Sequence, residues 1–386
     1  MRPELAANPM QSRLSPIRET FKFAKDHPDI ANLCIGDPSF PPPPAVVAAT
    51  RRALAEGQTH YENDAGRPSL RQLLAAHECG LRSASFDPYE NLVVTNGGTN
   101  GIYSVSRAVL DPGDEVLLPE PIWIPFIEIT RLLNCTPVFV PTRFEARFVP
   151  DRDVLESLVT PRTKLLIVVS PGNPTGAIYR EEDIAWLVEF CEKRDIWMLH
   201  DEAYRDIVFG GRSQASRVGH SDNVIGVRTL SKSHAMTGFR VGWVVSSNQE
   251  LIERVRLNVA YNVMCAATPV QIGAEAALSD APNYMAETLD RYHSRMEYAA
   301  KRLGGMGFEV HPPEGSFYLF PRHHYGDGDL APRLISEAAL AVVDGRHFGP
   351  SGVRHFRVSC AGADGVLEEG LDRLERWVTD HPAPQM

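Results

Sequence analysis

The chain has 386 residues, of which 43% are hydrophobic and 23% are charged, a composition typical of a globular protein. This length is enough for one large and one smaller domain. The 49 aspartates and glutamates outnumber the 39 lysines and arginines, which gives a net charge of −10 and argues against nucleic acid or an anionic membrane as a partner.

Other sequence patterns bear on location and metal binding. No run reaches the roughly 18 apolar residues that a spanning helix needs, and the N-terminus has no apolar signal segment. The six cysteines lack CxxC spacing and the thirteen histidines form no HExxH pattern. We therefore predict a cytoplasmic protein with no metal site.

The N-terminal part of the chain combines a polar arm with a short strand and helices. Residues 1–29 lack helical periodicity, and such arms often pack on a partner subunit. A short apolar strand then leads through Gly36 into a proline run, and this glycine allows the bare backbone to approach a ligand. Helices are predicted over residues 45–56 and 70–79.

From residue 91 to residue 278, strands alternate with amphipathic helices, which predicts a mainly parallel sheet covered on both faces. The first of these strands leads into a glycine-rich turn over residues 96–101, before a helix. Such a turn presents free N–H groups and a helix dipole to a phosphate. Trp123 follows the next strand, where it either stacks on a flat heterocycle or anchors the core.

Two later strands end in polar residues, which a parallel sheet brings to its ligand-binding edge. Asn173 follows the first strand in the sequence Ser-Pro-Gly-Asn-Pro-Thr-Gly, which either presents an amide to a ligand or is ordinary turn chemistry. Asp201 and Tyr204 follow the second strand. A carboxylate at the end of a buried strand is costly unless paired, so Asp201 suggests a cationic partner such as a pyridinium nitrogen.

Lys232 lies among small polar residues between two predicted strands, and Arg240 follows eight positions later. A desolvated lysine in this place is suited to form a Schiff base with an aldehyde cofactor, because its pKa is readily lowered. Arg240 is suited to bind a dianion through both arms of its guanidinium. The alternative is a solvated lysine in a polar loop.

After residue 248 the pattern becomes helical, and a long helix over residues 284–303 is predicted to lead into a smaller α+β domain. One of the short strands of that domain is expected over residues 308–311. The predicted organisation has three parts. Residues 1–45 form an N-terminal arm that belongs in part to the small domain, residues 46–282 form a large domain, and residues 283–386 form a small C-terminal domain.

These motifs, in their order and spacing, resemble the class I and II aminotransferases, pyridoxal phosphate enzymes of fold type I. The resemblance extends from about residue 13 to about residue 379. It implies an α/β fold with a mainly parallel seven-stranded sheet between helices, together with the smaller domain. It also implies ping-pong transfer of an amino group from an L-amino acid to a 2-oxo acid, through a Schiff base on Lys232, in a homodimer with shared active sites.

The resemblance assigns roles to individual residues. Lys232, Asp201 and Tyr204 match the catalytic positions, where the lysine moves the proton, the aspartate pairs with the ring nitrogen and the tyrosine bonds the ring hydroxyl. The other matches to cofactor-binding positions are Gly98, Thr99, Trp123, Asn173, Thr229, Arg240 and Tyr61, the last of which would reach the phosphate of the neighbouring subunit. The substrate-binding matches are Gly36, Asn173 and Arg357, with the arginine as the α-carboxylate clamp.

Some positions differ from the aspartate-specific branches of that family. Thr99 stands where a lysine would receive the side-chain carboxylate, and residues 257–262 contain no arginine, the nearest being Arg256. A neutral, aromatic or basic donor is therefore expected rather than strictly aspartate. A β-eliminating lyase or synthase on the same fold remains an alternative, and so does a non-catalytic domain that senses pyridoxal phosphate or an amino acid.

Overall fold

The structure is a computed structural model that describes residues 20, 22–24, 26–281, 283–328 and 330–383. Residues 1–19 of the predicted N-terminal arm lie outside the described residues. Among the described residues, the elements before the central sheet include a short strand and two helices, β1 (Ala31–Asn32), α1 (Pro44–Ala55) and α2 (Pro68–Arg82).

A seven-stranded sheet forms the centre of the larger part of the chain. Its strands are β2 (Leu92–Thr95), β3 (Glu115–Glu120), β4 (Thr136–Pro141), β5 (Thr163–Val169), β6 (Trp197–Asp201), β7 (Val224–Thr229) and β8 (Gly242–Val245). Their spatial order is β2-β8-β7-β6-β5-β3-β4, and β8 runs antiparallel to both of its neighbours. The other pairings are parallel, so the predicted mainly parallel sheet is confirmed.

Helices cover both faces of this sheet. They are α3 (Gly98–Val109), α4 (Ile124–Leu132), α5 (Arg152–Ser157), α6 (Glu181–Glu192), α7 (Leu230–Ser233), α8 (Gln249–Val263) and α9 (Thr268–Ser279). Successive strand residues face opposite sides, so Val94 packs in one apolar cluster with α2 and α6, and Val93 packs in another with α3, α4 and α8. Burial on both faces explains the nearly continuous apolar runs of the strands.

The C-terminal part of the chain is a smaller α+β unit. Its elements are α10 (Tyr284–Gly305), β9 (Tyr318–Leu319), α11 (Leu330–Ala338), β10 (Leu340–Ala341), β11 (Val343–Asp344), β12 (Phe356–Ser359) and α12 (Asp364–Asp380). Strands β11, β12 and β9 form an antiparallel sheet, whereas β1 pairs with β10 in parallel. The segment before the large sheet therefore joins this unit, while the domain boundaries themselves stay predictions.

Three details differ from the sequence predictions. Helix α3 begins at Gly98, so Gly98 and Thr99 lie in its first turn rather than in a preceding loop. The strand expected over residues 308–311 is reduced to a single bridge between Glu309 and Arg322. Strand β4 was not predicted because two prolines interrupt its pattern, but a strand at the edge of a sheet tolerates proline.

None of the described helices combines the length and the apolar character needed to cross a membrane.

Candidate functional site

A cleft of about 610 Å³ opens where β5, β6 and β7 end. The carboxyl ends of parallel strands are the usual position for ligands in an open sheet. The structure brings together here nine of the residues that the sequence singled out: Gly98, Thr99, Trp123, Asn173, Asp201, Tyr204, Thr229, Lys232 and Arg240. Ile102, Ala203, Ser231 and Thr237 also line the cleft.

Lys232 lies in the short helix α7, whose start is fixed by Thr229. The Thr229 hydroxyl oxygen accepts a hydrogen bond from the Ser231 N–H at 3.1 Å, which caps the helix. Lys232 Nζ donates to the carbonyl oxygen of Gly36 at 2.6 Å. Burial lowers the pKa of Lys232 to about 8, against the opposing charge of Asp37, so the neutral and charged amines are both accessible near neutral pH.

Asp201 is the last residue of β6 and is 5% exposed. Its Oδ1 accepts a hydrogen bond from the Ala203 N–H at 3.0 Å. Burial raises the pKa of Asp201 to about 7, although that hydrogen bond opposes the rise. A cation placed against this carboxylate in the cleft would restore its ionised form.

Tyr204 follows Asp201 and points its hydroxyl towards the smaller unit. The Tyr204 hydroxyl group donates to the Tyr318 hydroxyl oxygen at 3.3 Å. Burial raises the pKa of Tyr204 well above its usual range, so the phenol stays protonated and available as a donor.

An anion cradle forms at the start of α3. Gly97 precedes this twelve-residue helix with a φ of 84°, and a Cβ atom there would lie 2.5 Å from Arg240 Nη2. Only glycine allows this close approach. Arg240 itself adopts a left-handed conformation and donates from Nη1 to the Thr237 carbonyl oxygen at 2.8 Å. Gly98 and Thr99 in the first turn of α3 line the same cleft as the arginine, and a helix start beside a guanidinium is an arrangement that suits an anion.

Arg357 on β12 is buried and joins the smaller unit to the cleft. Its Nη1 donates to Asn173 Oδ1 at 2.8 Å, and its Nη2 donates to the Cys34 carbonyl oxygen at 2.5 Å. Gly36 and this arginine both lie close to the side chain of Tyr318. A Cβ atom on Gly36 would lie 1.7 Å from the Tyr318 hydroxyl oxygen, and Arg357 Cζ lies 4.3 Å from the centroid of the Tyr318 ring.

Tyr61 does not line the cleft of its own chain. Its side chain is 82% exposed and lies in a separate groove, lined by residues that include Leu54, Asn96, Val263 and Cys265. Its predicted contact with the phosphate of a neighbouring subunit stays a prediction.

Four residues around the site were not singled out from the sequence, namely Ser231, Asp37, Thr237 and Tyr318. Ser231 is the neighbour of Lys232 and lines the cleft, so its position beside the lysine was an available signal. Asp37 Oδ1 accepts a hydrogen bond from the Thr237 hydroxyl at 2.6 Å across the mouth of the cleft. Tyr318 had no local signal, because its contacts come from distant parts of the chain.

Within the part of the chain that the structure describes, no three histidine, cysteine, aspartate or glutamate residues are grouped to hold a metal ion.

Comparisons with known proteins give a consistent result. A family model described as aminotransferase class I and II matches residues 28–374. The chain is 32% identical to a probable N-acetyl-LL-diaminopimelate aminotransferase of Bacillus subtilis, over 95% of this chain and 93% of that protein. It is 34% identical to aromatic-amino-acid aminotransferase 2 of Thermococcus litoralis, over 94% and 95% of the two chains. The structure of aspartate aminotransferase from Thermus thermophilus with maleate is similar with a TM-score of 0.92 and 30% identity, covering 97% of this chain and 100% of that one.

Proposed function

The chain belongs to the class I and II aminotransferases, pyridoxal phosphate enzymes that move an amino group from an amino acid to a 2-oxo acid, and we propose that the cleft around Lys232 is its active site. The predicted family and activity are confirmed by these comparisons. The relatives named above are aminotransferases rather than β-eliminating lyases or sensor domains.

The residues of the cleft fit pyridoxal phosphate, which combines an aldehyde, a pyridine ring and a phosphate. Lys232 offers the aldehyde an amine whose pKa is lowered to about 8. Asp201 offers the ring nitrogen a buried carboxylate, and Arg240 with the start of α3 offers the phosphate an anion cradle. The convergence of these three groups in one cleft is the observation that carries the proposal.

Pyridoxal phosphate, when bound, supplies an electrophilic carbon and an electron-withdrawing ring. Lys232 would hold the cofactor through Nζ and, as a free amine, would take a proton from the substrate Cα and later return one. A pKa of about 8 suits both directions of transfer near neutral pH. Asp201 would keep the ring nitrogen protonated, because a cation against a desolvated carboxylate stabilises both charges.

The remaining cofactor contacts follow from the lining of the cleft. Trp123 would pack on the ring face, and Asn173 and Tyr204 would bond the ring hydroxyl. Gly98 and Thr99 at the start of α3, together with Thr229 and Arg240, would hold the phosphate.

Arg357 would bind the α-carboxylate of the substrate, close to Gly36. It is buried, and its hydrogen bonds from Nη1 and Nη2 go to the neutral acceptors Asn173 Oδ1 and Cys34 O. Among the described residues, its Nε atom has no hydrogen-bond partner and no carboxylate forms an ion pair with it. A substrate carboxylate would supply the missing negative charge, which a buried guanidinium strongly favours.

The donor is proposed to be a neutral, aromatic or basic amino acid rather than strictly aspartate. Lys232 and Arg240 are the basic side chains among the described residues that line the cleft, and both have other roles in the proposal. Arg256 is engaged outside the cleft by Asp64 at 2.6 Å and Glu253 at 2.5 Å. A second substrate carboxylate would therefore lack a dedicated cation.

We propose a homodimer in which Tyr61 reaches the phosphate in the partner's cleft. Large apolar side chains are exposed at Tyr61 and at the end of α8, where Tyr261 is 90% and Met264 is 53% exposed. Clustered exposure of this kind marks a protein interface. The cytoplasmic location stays a prediction.

The test is an absorbance titration of the wild type and of Lys232→Ala, each incubated with pyridoxal phosphate and freed of excess cofactor. The wild type should show a visible band of the covalently held cofactor, and the band should bleach with suitable amino acids in the absence of any 2-oxo acid. Lys232→Ala should show neither response, because it lacks the amine.

Asp280→Asn, on the surface at the end of α9, is the matched control and should behave as the wild type. A wild type without the band, or a Lys232→Ala variant that retains it and its bleaching, would contradict the proposed site. Bleaching by aspartate far above that by all other amino acids would contradict the proposed donor class alone.

A further inference from the structure

Tyr318 occupies a central position between the groups proposed to bind cofactor and substrate. It lies on β9, is 3% exposed and pairs with Ser359 of β12, the strand that carries Arg357. Its ring and its hydroxyl group contact different residues of the proposed site.

The Tyr318 ring supports the guanidinium of Arg357. The Arg357 Cζ atom lies 4.3 Å from the ring centroid, and the Phe348 ring lies 5.1 Å from the same atom. A guanidinium over an aromatic face is attracted electrostatically, most strongly where water is excluded. The ring thus helps to hold a buried cation in place.

The Tyr318 hydroxyl group contacts Tyr204, which lines the cleft. It lies 3.3 Å from the Tyr204 hydroxyl, and the two rings meet edge to face. When Tyr204 donates to a ligand, Tyr318 is placed to donate to the Tyr204 oxygen in turn. Chains of hydrogen bonds polarise one another, so such a donor strengthens the outer bond.

Simple packing does not account for this hydroxyl group. Phenylalanine would fill the same apolar volume without burying a polar atom, which is costly when its hydrogen bonding is poor. The hydroxyl also takes the space of a side chain at position 36, since a Cβ atom on Gly36 would lie 1.7 Å from it.

We infer that Tyr318 is a positioning residue that links the two halves of the site, through its hydroxyl to Tyr204 and through its ring to Arg357. This inference rests on the proposed function, because Tyr204 and Arg357 have their roles from it. The hydroxyl tunes the phenol that bonds the cofactor ring, and the ring maintains the clamp for the substrate carboxylate.

A double-mutant cycle on the cofactor-loaded protein tests the hydroxyl. The variants are Tyr318→Phe, Tyr204→Phe and the double variant, with Tyr298→Phe as the control on the outer face of α10. The readout is the pH midpoint of the visible absorbance change of the bound cofactor. Tyr318→Phe should raise this midpoint by roughly half a unit, the size expected for one neutral hydrogen bond.

Because Tyr318 acts through Tyr204, adding Tyr318→Phe to Tyr204→Phe should produce no further shift. An unchanged midpoint in Tyr318→Phe, or an undiminished shift in the Tyr204→Phe background, would overturn the inference for the hydroxyl. If the wild type forms no visible band, the proposed function fails and the inference fails with it. A wild-type band with an unmoved Tyr318→Phe midpoint rejects only the role of Tyr318.

The ring is tested by steady-state kinetics on Tyr318→Phe and Tyr318→Leu. Tyr318→Phe keeps the aromatic face and should leave the KM for the amino acid within about two-fold of the wild type. Tyr318→Leu should raise KM roughly five- to ten-fold with a smaller effect on kcat, since it loses the aromatic support of Arg357. An equal KM in both variants would overturn the role of the ring.

Discussion

At the scale of single residues, the charge state of Lys232 is balanced between burial and nearby charges. Burial lowers its pKa to about 8, and Asp37 is the strongest group acting in the other direction, ahead of Asp201. Arg357 and Arg240 add to the lowering. The lysine therefore depends on an exposed carboxylate at the mouth of the cleft for part of its proton affinity.

Asp37→Asn should lower the pKa of Lys232 further. The neutral amine is the nucleophile, so the rate at which cofactor-free protein captures pyridoxal phosphate should rise with pH through the pKa of Lys232. The wild-type midpoint should lie near 8, and the Asp37→Asn midpoint should lie lower by roughly half a unit. Asparagine can still accept the hydrogen bond from Thr237, so the geometry is retained.

Stopped-flow absorbance across a pH series measures these midpoints, with Asp280→Asn as a control for a change of surface charge. A midpoint that stays in place or moves upward in Asp37→Asn would show that the carboxylate does not support the lysine charge.

The sequence was sufficient to predict which residues gather in the cleft where those residues lie at the ends of strands. Asp201 and Asn173 come after apolar runs, and Lys232 lies between two of them, so a parallel sheet was sufficient to bring them together. Tyr318 could not be predicted in this way. Its contacts with Tyr204 and Gly36 depend on how the smaller unit packs against the sheet, which no local pattern encodes.

At the scale of elements, a buried ion pair fixes helix α2 to the end of β6. Arg82, the last residue of α2, pairs with Glu202, the residue after Asp201, and with Glu78 at 2.6 Å. These three side chains are fully buried. Helix α2 therefore helps to hold the backbone that presents Asp201 to the cleft.

Arg82→Met should lower the free energy of unfolding by about 3 kcal/mol or more, because it leaves buried carboxylates without their cation. Arg205 and Arg228 still contact Glu202 and Glu78, which limits the loss. Urea denaturation of the cofactor-free protein measures the change.

Arg302→Met is the matched control, because Arg302 pairs with the half-exposed Asp372 and Glu375. Its effect should stay within about 1 kcal/mol. Equal losses in the two variants would argue that the Arg82 ion pair contributes no more than a surface pair.

Helices and strands could be predicted wherever the spacing of their hydrophobic residues was regular. Apart from β4, the sheet strands agree with their predicted positions within a few residues, and so does the long helix α10. Helix α3 starts earlier than predicted because the Asn100 and Gly101 N–H groups already donate to the Gly97 carbonyl oxygen, so the glycine-rich segment forms the first helical turn. The expected strand over residues 308–311 is not formed, because Glu309 pairs with Arg322 in one isolated bridge that is not extended into a ladder.

At the scale of the whole molecule, a shared active site would make the two subunits dependent on each other. Tyr61 is 82% exposed and outside the cleft of its own chain, whereas Lys232 lines that cleft. The two residues needed for one site would then come from different chains.

Mixing Lys232→Ala with a Tyr61→Ala variant should restore activity that neither has alone. Random exchange makes half of the dimers mixed, and each mixed dimer has one intact site of two, so about one quarter of the wild-type activity should return. Activity is assayed after refolding the two variants together at equal concentration.

The same variants refolded separately and then combined at once provide the control. No recovery after joint refolding would mean that Tyr61 acts within its own chain or has no role, and the shared site would be rejected.

Strand β4 has a consequence for how the molecule behaves in a crowded solution. The Thr136 N–H donates to the Asp114 carbonyl oxygen beside β3. Backbone groups alternate in direction along a strand, so the backbone nitrogens of Pro137 and Pro141 face away from the sheet. Proline has no N–H group to donate there, which interrupts the row of donors that another chain would need to extend the sheet. The two residues that obscured this strand in the sequence thus protect the protein against edge-to-edge aggregation.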